Sequence, residues 1–473
     1  MQAGLHWDLS RPKSALPSSY FWTWDHSANW VLDDPCILTF GCANAYLKRP
    51  ETFVEDYRRL TDLAAGLGIR GIVVWGFLRD SHGGVDSAKR VADYAASRGV
   101  AIMPGVGLNW YGGVYYEGDH RFNSGTFVRR FPEARLVSKE GLTLPSGEAG
   151  ICPSHPGFVE WMGEGLDWLF REFNIGGVNL ENGDFVVCHC PRCQAHRASW
   201  PADDPDFFRV QALSYLPALR SLERHLTGKL VTWATYTNFS FGLKPQFPDD
   251  TWPAIGQRVP EVVRRAPADA ITQWTLTGAV RGVPLPLSTY LDDGAPAAAF
   301  ENPHWPADLR PPGTRSAGFL HQASQWTPYG PAGRYRQIVS TIKEGCLRAH
   351  RSGMEGVSIH GEVTSRYVPW ALNYLAFSHF THWPEDSLRA FGRRTLGQVL
   401  GGEADGEAFA ECLAHWDSGT LTDSERKRVR ERARAFQQSV SQGVRSELGQ
   451  MHFWHWLERM ASGAAETHTA SFI

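Results

Sequence analysis

The sequence lacks the features that would direct it to a membrane or a nucleic acid. No apolar run approaches the roughly 20 residues that a membrane-spanning helix needs, so we expect no membrane association. With 47 Lys and Arg residues against 50 Asp and Glu residues, the net charge is −3, which gives no electrostatic basis for binding nucleic acid or anionic lipid. The segment Met1–Pro17 has no basic region followed by a long apolar run. We therefore predict a cytoplasmic protein, or a secreted one if a signal has been removed.

Cysteine is scarce, and several motifs of cofactor chemistry are absent. Eight cysteines in 473 residues are too few for a disulfide-stabilised scaffold, which fits a reducing cytoplasm. The sequence has no Gly-x-x-x-x-Gly-Lys-Ser/Thr loop for phosphates, no Gly-x-Gly-x-x-Gly after a strand and no Gly-x-Ser-x-Gly nucleophile turn. These absences exclude the commonest nucleotide and serine-hydrolase sites, and we expect no organic cofactor. The oligomeric state stays open, including a homo-oligomer.

Aromatic residues are abundant instead, at 12% of the chain including 19 Trp. Tryptophan usually packs in a core, but several of these residues follow directly after predicted strands. There a flat ring can stack on the C–H face of a sugar while the indole N–H remains a hydrogen-bond donor. Core packing and ligand contact are therefore the two interpretations of each Trp at such a position.

Apolar runs of strand length alternate with segments of helical periodicity along most of the chain. This alternation is typical of a parallel sheet covered by helices, and right-handed crossovers then lead to closure. We predict an α/β fold, a (β/α)8 TIM barrel with long βα loops and an α-helical C-terminal module. The expected strands are Cys36–Phe40, Ile69–Phe77, Val100–Val106, Gly177–Leu180, Lys229–Thr235, Ala270–Leu276, Gly318–Trp326 and Gly356–His360. The expected helices between them include Pro50–Leu67, Val85–Arg98, Pro156–Phe173, Pro205–Leu226, Glu261–Arg265 and Arg334–Arg351.

The chain divides into three parts by composition. Residues 1–35 form an aromatic-rich N-terminal segment that we expect to be irregular, residues 36–383 form the barrel, and residues 384–473 form a helical C-terminal region. In the N-terminal segment, Asp25 is either a substrate-binding residue on a lid or part of a capping turn. Strand-like runs stop near Pro384, and the helices expected after it are Asp386–Val399, Asp405–His415 and Thr422–Ala461.

A carboxylate follows the fourth predicted strand. Catalytic groups of (β/α)8 barrels lie where strands run into loops at the carboxyl face, and Glu181 stands directly after Leu180. Glu181 is therefore a candidate for one half of a glycosidase site, with a salt-bridged structural acid as the alternative. Asp184, three residues later, is a second candidate catalytic residue, and it either holds a sugar hydroxyl or caps the next turn.

Four cysteines fall close to the same strand. Cys188, Cys190 and Cys193 form a Cys-x-Cys-x2-Cys run after it, and Cys152 precedes the helix that leads into it. Because both loops lie at the carboxyl face of a parallel barrel, Cys152 can meet the other three. Four thiolates make a closed tetrahedral zinc site, which is structural rather than catalytic. The alternatives are His189 or His196 as the fourth ligand, a disulfide, or free thiols.

Polar and aromatic residues follow the other predicted strands. Each is a weak signal alone, but the carboxyl ends of parallel strands meet at one rim, where these residues would form a site suited to a hydroxyl-rich ligand. We therefore expect a carbohydrate as the binding partner. The predicted substrate-binding residues are Asp25, Asp80, Asn109, Trp110, Tyr236, Asn238, Trp274, His321, Gln325, Trp326 and His360.

Two stretches resemble the β-galactosidases of glycoside hydrolase family 42. The Cys-Pro-Ser-x-Pro motif that begins at Cys152, followed by a helix, a strand, Glu181 and the Cys-x-Cys-x2-Cys run, is similar to the zinc-cluster arrangement of that family. The segment Gln322–Tyr329 and the helix after it resemble the strand-seven region. The resemblance covers about residues 145–200 and 318–362. It implies a sugar-hydrolysing (β/α)8 barrel in which Glu181 is the acid/base.

One position departs from the family pattern. The strand-seven nucleophile of that family is a Glu, and the corresponding residue here is His321, which cannot replace a carboxylate in the usual retaining mechanism. We take Glu362, after the eighth predicted strand, as the second carboxylate; the alternative is an i,i+4 ion pair with Arg366. A carboxyl separation of about 5–5.5 Å would indicate a retaining enzyme and about 6.5–9.5 Å an inverting one.

The leading hypothesis is a glycoside hydrolase in which Glu181 is the general acid and Glu362 the base or nucleophile. The rivals are a non-catalytic carbohydrate-binding barrel that has lost its nucleophile, and a transglycosidase or lyase on the same scaffold. The sugar, its linkage and its anomeric configuration cannot be read from the sequence.

Overall fold

The computed structural model describes residues 9, 13–25, 48–144, 150–182, 187–204, 206–234, 260–276, 285–294, 314–320, 337–360, 368–442 and 448–462. Within these ranges, no helix is both long enough and apolar enough to span a bilayer.

Eight parallel strands form a closed barrel in which the order in space follows the order in the chain. The first strand closes the barrel by pairing with the last, through Tyr20 opposite Ser358 and Trp22 opposite His360. The predicted (β/α)8 fold is therefore confirmed. The strands are β1 (Tyr20–Trp24), β2 (Gly71–Trp75), β3 (Ala101–Gly107), β4 (Gly177–Glu181), β5 (Leu230–Ala234), β6 (Ile271–Thr275), β7 (Arg315–Leu320) and β8 (Gly356–His360).

The position of the first strand differs from the prediction. Seven strands coincide with the expected apolar runs, but β1 is the segment Tyr20–Trp24, which we had expected to be irregular. All five of its residues are buried, and it pairs in register with β2 from Tyr20 opposite Gly71 to Trp24 opposite Trp75. The expected strand Cys36–Phe40 lies outside the described residues. The first barrel strand thus falls before residue 36, whereas the rest of the proposed division of the chain stays a prediction.

Helices cover the outside of the barrel, and those described agree closely with the helical periodicity. The first begins at Pro50, where a fixed φ and a missing N–H suit the first helical turn. The helices of this layer are α1 (Pro50–Gly66), α2 (Gly84–Ser97), α3 (Ser124–Arg130), α4 (Phe158–Glu172), α5 (Pro191–Ala198), α6 (Asp206–Ser221), α7 (Glu261–Arg265) and α8 (Val339–Arg351).

After β8 the described chain is helical, as expected. The predicted helix Thr422–Ala461 is in fact two helices, Asp423–Ser441 and Leu448–Ala461, which pack against each other. The helices of this region are α9 (Val368–His382), α10 (Leu388–Phe391), a π-helical turn (Gly392–Leu396), α11 (Gly397–Leu400), α12 (Glu403–Asp417), α13 (Asp423–Ser441) and α14 (Leu448–Ala461).

The barrel wall separates two different cores. On each strand, alternate residues point inward and outward. The outward residues, such as Phe21, Val74 and Trp233, pack with the helices in one large apolar core. The inward residues, such as Trp22, Trp75 and Met103, form a smaller cluster inside the barrel, and polar side chains share that space. The inward residues at the carboxyl ends of the strands form the candidate site.

Candidate active site

Glu181 is the last residue of β4 and lies on its inward side. It shares this side with Asn179, whose side chain hydrogen-bonds across the barrel interior, so the alternation places the Glu181 side chain at the mouth of the barrel. Glu181 is only 3% exposed. The structure therefore places Glu181 at the predicted end of the predicted strand.

The backbone around Glu181 is held from both neighbouring strands. The Glu181 carbonyl accepts a hydrogen bond from Leu108 N–H at 3.2 Å, just after β3. The next residue, Asn182, donates its N–H to the Tyr215 hydroxyl at 2.8 Å, and that hydroxyl donates to the Ala234 carbonyl at 2.8 Å at the end of β5. The backbone that carries the carboxylate is thus anchored by hydrogen bonds on both sides.

The Asn182 side chain extends this anchor. Its Nδ2 group donates to Gln211 Oε1 at 2.9 Å and to Ser214 Oγ at 2.6 Å, both on α6. Its Oδ1 atom accepts the backbone N–H of Asn109 at 3.2 Å. Asn109, a predicted substrate-binding residue, is 1% exposed and donates its own amide to the Ile151 carbonyl at 3.1 Å. Its contacts favour a role in joining the loops after β3 and β4.

A hydrogen-bonded layer crosses the barrel below Glu181. Asn179 lies at its centre, because its Oδ1 accepts from Trp22 Nε1 at 3.2 Å and from Trp75 Nε1 at 3.3 Å. Its Nδ2 donates to Thr232 Oγ1 at 2.9 Å and to Gln273 Oε1 at 3.0 Å. The layer fixes the orientation of both indoles from below.

The Glu181 charge reaches two buried tyrosines. Burial raises the pKa of Tyr20, inside the barrel, and the negative charge of Glu181 adds to that rise. The pKa of Tyr215 is raised in the same way, by burial first and by Glu181 second. Both phenols therefore stay neutral and act as hydrogen-bonding groups, Tyr20 as a donor to Gln273 and Tyr215 as a donor to the Ala234 carbonyl.

Aromatic rings surround the mouth of the barrel. Trp24 and Trp75 have their centroids 5.5 Å apart, and Tyr111 lies 5.9 Å from Trp24 and 5.2 Å from Trp75. On the other side, His360 at the end of β8 lies 4.3 Å from the Trp22 ring at 65°. His360, a predicted substrate-binding residue, is therefore an inward residue of the same rim as Glu181. Tyr111 was not among the predicted ligand contacts.

Two glycines on β3 give these rings their space. Gly107 is paired with Glu181, and Gly105 with Asn179. A Cβ atom on Gly105 would lie 2.4 Å from the indole of Trp75, and one on Gly107 would lie 2.1 Å from the Trp110 carbonyl oxygen. Both distances are too short for any side chain. The inward side of β3 near Glu181 therefore carries no side chain. The Trp75 ring occupies the space at Gly105, and the chain at Trp110 and Tyr111 occupies the space at Gly107.

The two acids predicted after β1 and β2 are both engaged by protein groups. Asp25 is buried, with its Oδ2 2.7 Å from Arg79 Nε and 3.6 Å from His82 Nε2. Burial opposes the charge of Arg79, but Asp25, Tyr116 and Glu117 together outweigh it and the pKa of Arg79 is raised. Asp80 accepts hydrogen bonds from the Tyr115 hydroxyl and, at 3.3 Å, from the Asp119 backbone N–H. These partners favour a structural role for both acids.

Trp110 and Trp274 do not lie on the inner side of the barrel wall. Trp274 is fully buried in the outer core, and its Nε1 donates to Ser316 Oγ at 3.1 Å. Trp110 packs in the same outer core, against Gly150. Neither placement agrees with the prediction that these residues line the mouth. The reason for Trp274 is strand alternation, since Gln273 is the inward residue there.

Seven of the predicted site residues lie outside the described part of the chain. They are Asp184, Tyr236, Asn238, His321, Gln325, Trp326 and Glu362. Their assignments stay predictions.

The four predicted cysteine ligands lie together. Cys152, Cys188, Cys190 and Cys193 are all buried, and their sulfur atoms all lie within 4.8 Å of one another. Cys152 Sγ is 3.5 Å from the sulfurs of Cys188 and Cys190 and 3.6 Å from that of Cys193. These distances exclude disulfide bonds, whose sulfurs are about 2.05 Å apart. All four cysteines are free thiols in this structure.

The donor set fits a tetrahedral zinc ion. Zn–S bonds of about 2.3 Å in a tetrahedron put the sulfurs about 3.8 Å apart, close to the observed spacing. Two backbone N–H groups point at sulfurs, from Val137 to Cys188 and from Cys193 to Cys190, each at 3.5 Å. Such donors stabilise thiolates. Among the described residues the group contains neither His189 nor His196.

The cluster joins the loop after β3 to the loop after β4. Cys152 follows a short antiparallel bridge between Arg135 and Ile151, and its N–H donates to the Ala134 carbonyl at 2.7 Å. Cys190 accepts the Cys193 N–H at the start of α5. The connection is on the same side of the barrel as Glu181, seven residues before Cys188, so an ion here would hold the loops beside the candidate acid.

Comparisons with known proteins found similar solved structures only. The chain matches no protein-family model and no curated protein. Among similar solved structures are a GH138 enzyme targeting pectin rhamnogalacturonan II, with a TM-score of 0.49 at 11% identity over 86% of this chain and 44% of that one, and an Anoxybacillus α-amylase, with a TM-score of 0.47 at 9% identity over 79% and 80% of the two chains. A third is the noncanonic maltogenic α-amylase AmyB from Thermotoga neapolitana, with a TM-score of 0.41 at 13% identity over 85% and 77%.

This chain spans less than half of the length of the first of these proteins. At such low similarity the neighbours carry no argument about activity. The resemblance to family 42, and the replacement of its nucleophile by His321, stay predictions. Any function has to be argued from the site itself.

Proposed function

We propose that this protein is a glycoside hydrolase that cleaves a glycosidic bond of an oligosaccharide or glycoconjugate with two carboxylates. Glu181 is the general acid. Its carboxyl group gives a proton to the glycosidic oxygen as the bond between that oxygen and the anomeric carbon breaks. The leaving sugar departs as a neutral alcohol, and positive charge develops on the ring that remains.

One observation supports this proposal above the others. The buried carboxyl group of Glu181 stands at the inward carboxyl end of β4, the backbone there is held by Leu108 and Tyr215, and aromatic rings lie at the same end of the barrel. An acid in this position is protected from water, fixed in orientation, and faced by surfaces that suit a sugar.

Glu362 is proposed as the second carboxylate. It follows His360, the last residue of β8, by two positions in the sequence, and the carboxyl ends of β8 and β4 lie at the same end of the parallel barrel. In an inverting enzyme it would take a proton from the water that attacks the anomeric carbon. In a retaining enzyme it would attack that carbon itself, and water would then release the sugar. Asp184 is proposed as a residue that holds a sugar hydroxyl near the acid.

Zinc is proposed as a structural ion at the cysteine cluster. The residues that would hold it are Cys152, Cys188, Cys190 and Cys193. Four thiolates leave no coordination position for substrate, so the ion would fix the loops beside Glu181 and take no part in bond cleavage.

The test compares carboxamide variants on substrates with different leaving groups. We expect Glu181→Gln and Glu362→Gln to reduce kcat at least 10³-fold on 4-nitrophenyl glycosides and oligosaccharides that the parent hydrolyses, a change of about 4 kcal/mol in the activation barrier. Sugar binding should remain. On 2,4-dinitrophenyl glycosides, whose leaving group departs without a proton, Glu181→Gln should lose much less activity.

Glu172→Gln is the matched control. Glu172 ends α4 on the outside of the barrel, where it pairs with Lys89, so its removal should leave kcat unchanged. Near-full activity of Glu181→Gln on both classes of substrate would remove Glu181 from the mechanism. Sugar binding by the parent without turnover of any glycoside would favour the non-catalytic binding barrel.

A further inference from the structure

We infer that Tyr111 forms, with Trp24 and Trp75, an aromatic platform on which a pyranose ring of the substrate stacks beside Glu181. The inference rests on the proposed function, because it assigns to that same site the surface that binds the sugar. The platform is the group of these three rings. It would select sugars whose ring C–H groups make one flat, apolar face.

Tyr111 is next to the strand end that carries Glu181. Gly107, the last residue of β3, is paired with Glu181. The chain after it folds back, so that a Cβ atom on Gly107 would lie only 2.7 Å from the Tyr111 Cβ. Tyr111 therefore stands directly above the residue that faces the candidate acid.

The three rings differ in exposure: two are buried supports, and one is partly exposed, as a ring that contacts a ligand has to be. Trp24 and Trp75 are buried below, and Tyr111 is partly exposed above them. The Tyr111 ring meets both indoles at about right angles, at 70° in each case. Because Trp24 is fixed by packing, and Trp75 by packing and by its hydrogen bond to Asn179, Tyr111 is held in place while part of its surface remains exposed.

The backbone at Tyr111 is in a conformation that a tyrosine adopts at a cost. Its φ is +50°, and it is the one non-glycine residue with positive φ in the described ranges. Gly112 and Gly113, each with φ of +79°, continue the turn. Hydrogen bonds from Gly113 N–H to the Trp110 carbonyl, at 3.2 Å, and from Ser124 N–H to the Gly112 carbonyl, at 2.8 Å, hold it.

Glycine would adopt this backbone conformation at a lower cost. The presence of a tyrosine here therefore has to be explained by what its side chain does. Residues kept in such conformations cluster at ligand-binding and active sites. A purely structural ring would be expected to bury itself, as Trp110 does one residue earlier in the outer core. Trp110 and Tyr111 are thus neighbours in one loop, but Trp110 packs in the outer core and Tyr111 packs on the inner rings at the candidate site.

The test separates binding from stability. In a Glu181→Gln background, which prevents turnover, we expect Tyr111→Ala and Tyr111→Gly to raise the Kd for methyl and 4-nitrophenyl pyranosides at least tenfold by calorimetry. Tyr111→Phe keeps the ring and should stay within about threefold of the parent. In the active protein, Tyr111→Ala should raise KM by a similar factor.

The Tyr111→Gly variant separates the effect of the backbone conformation on stability from the effect of the lost ring on sugar binding. We expect the Tm of Tyr111→Gly to equal or exceed that of Tyr111→Ala, because glycine accepts positive φ freely. Tyr94→Phe is the control, since Tyr94 lies on α2 and donates to Asp62 away from the site. It should leave Kd unchanged. If Tyr111→Ala does not fold, Tyr111→Leu, which keeps much of the bulk without the ring, decides the question by its Kd.

Failure of this inference can be told from failure of the proposed function. Hydrolysis that depends on Glu181, with an unchanged Kd and KM in Tyr111→Ala, would overturn the platform alone. Sugar binding that depends on Tyr111, in a protein that cleaves no glycoside, would overturn the hydrolase and keep the platform. A parent protein that binds none of the pyranosides would overturn both.

Discussion

The inner and outer sides of the barrel wall bury the same kinds of residue for different purposes. Trp75 and Trp274 are both fully buried tryptophans near the carboxyl ends of strands. Trp274 faces outward, where its ring fills the space between sheet and helices. Trp75 faces inward, where its indole N–H reaches Asn179 and its ring lies below Tyr111. The comparison shows that burial alone does not distinguish a core residue from part of a site.

The inner side is also the one that combines polar and aromatic groups. Asn179 makes hydrogen bonds to Trp22, Trp75, Thr232 and Gln273 across the interior. On the outer side, buried polar groups such as Asn182 bond to the helices that surround the barrel. The predictions below test this difference, beginning with the largest expected effect.

The first prediction contrasts the two tryptophans. We expect Trp274→Ala to lower the free energy of unfolding by about 3–5 kcal/mol, because it leaves a large cavity in the outer core, without changing the Kd for sugars. Trp75→Ala should be destabilising too and should also raise that Kd at least tenfold. Denaturant unfolding and calorimetry on the same samples measure both.

If these variants do not fold, Trp274→Phe and Trp75→Phe provide the contrast. Equal effects on Kd would mean that the two sides are not functionally distinct.

The second prediction concerns the cysteine cluster. We expect about one zinc ion per chain by elemental analysis and loss of this zinc in Cys193→Ser. The free energy of unfolding should fall by about 2 kcal/mol, because the two loops lose their connection. Cys346→Ser, at a buried cysteine on α8 away from the cluster, is the control and should keep the metal. A parent protein without metal and with four titratable thiols in the cluster would refute the zinc site.

The third prediction concerns pH and the buried His379. Burial lowers the pKa of His379 to about 4, although Asp386 Oδ2 lies 3.3 Å from its Nε2 and opposes this shift; Lys343 and Arg394 add to it. The ordinary pKa is about 6.5, so between pH 6.5 and 4 the unfolded chain holds a proton that the folded chain does not. The contribution of His379 to stability should therefore fall as the pH falls through this range, by up to about 1.4 kcal/mol per pH unit.

The measurement is the free energy of unfolding from pH 7 to pH 4. His379→Gln should flatten the profile over this range. Parallel profiles for the parent and His379→Gln would show that His379 does not titrate as its burial implies.

The sequence predicted the barrel well because each strand is an apolar run between helices of clear periodicity. It missed β1 because the aromatic segment Tyr20–Trp24 stands near acids and ends at Asp25, and only its pairing with β2 and β8 identifies it as a strand. Topology alone also predicted that Cys152 would meet the later cysteines, since both loops lie at the same face.

The orientation of individual side chains could not be predicted in the same way. A strand of a parallel barrel is buried on both sides, so its sequence does not alternate between apolar and polar residues. Nothing in the sequence therefore indicated that Gln273 faces inward and Trp274 outward. For Tyr111, the two glycines that follow it were a signal of a tight turn, but the direction of its ring depends on Trp24 and Trp75, which are distant in the chain.

The bare inner side of β3 has a consequence for how such a barrel can change. Even an alanine methyl group at position 105 would overlap the Trp75 indole, so the indole would have to turn away from Asn179. The width of the barrel mouth thus depends on two positions, Gly105 and Gly107, that have no side chain. We therefore expect that substitutions in the loops, and not at these two glycines, would admit a bulkier substrate.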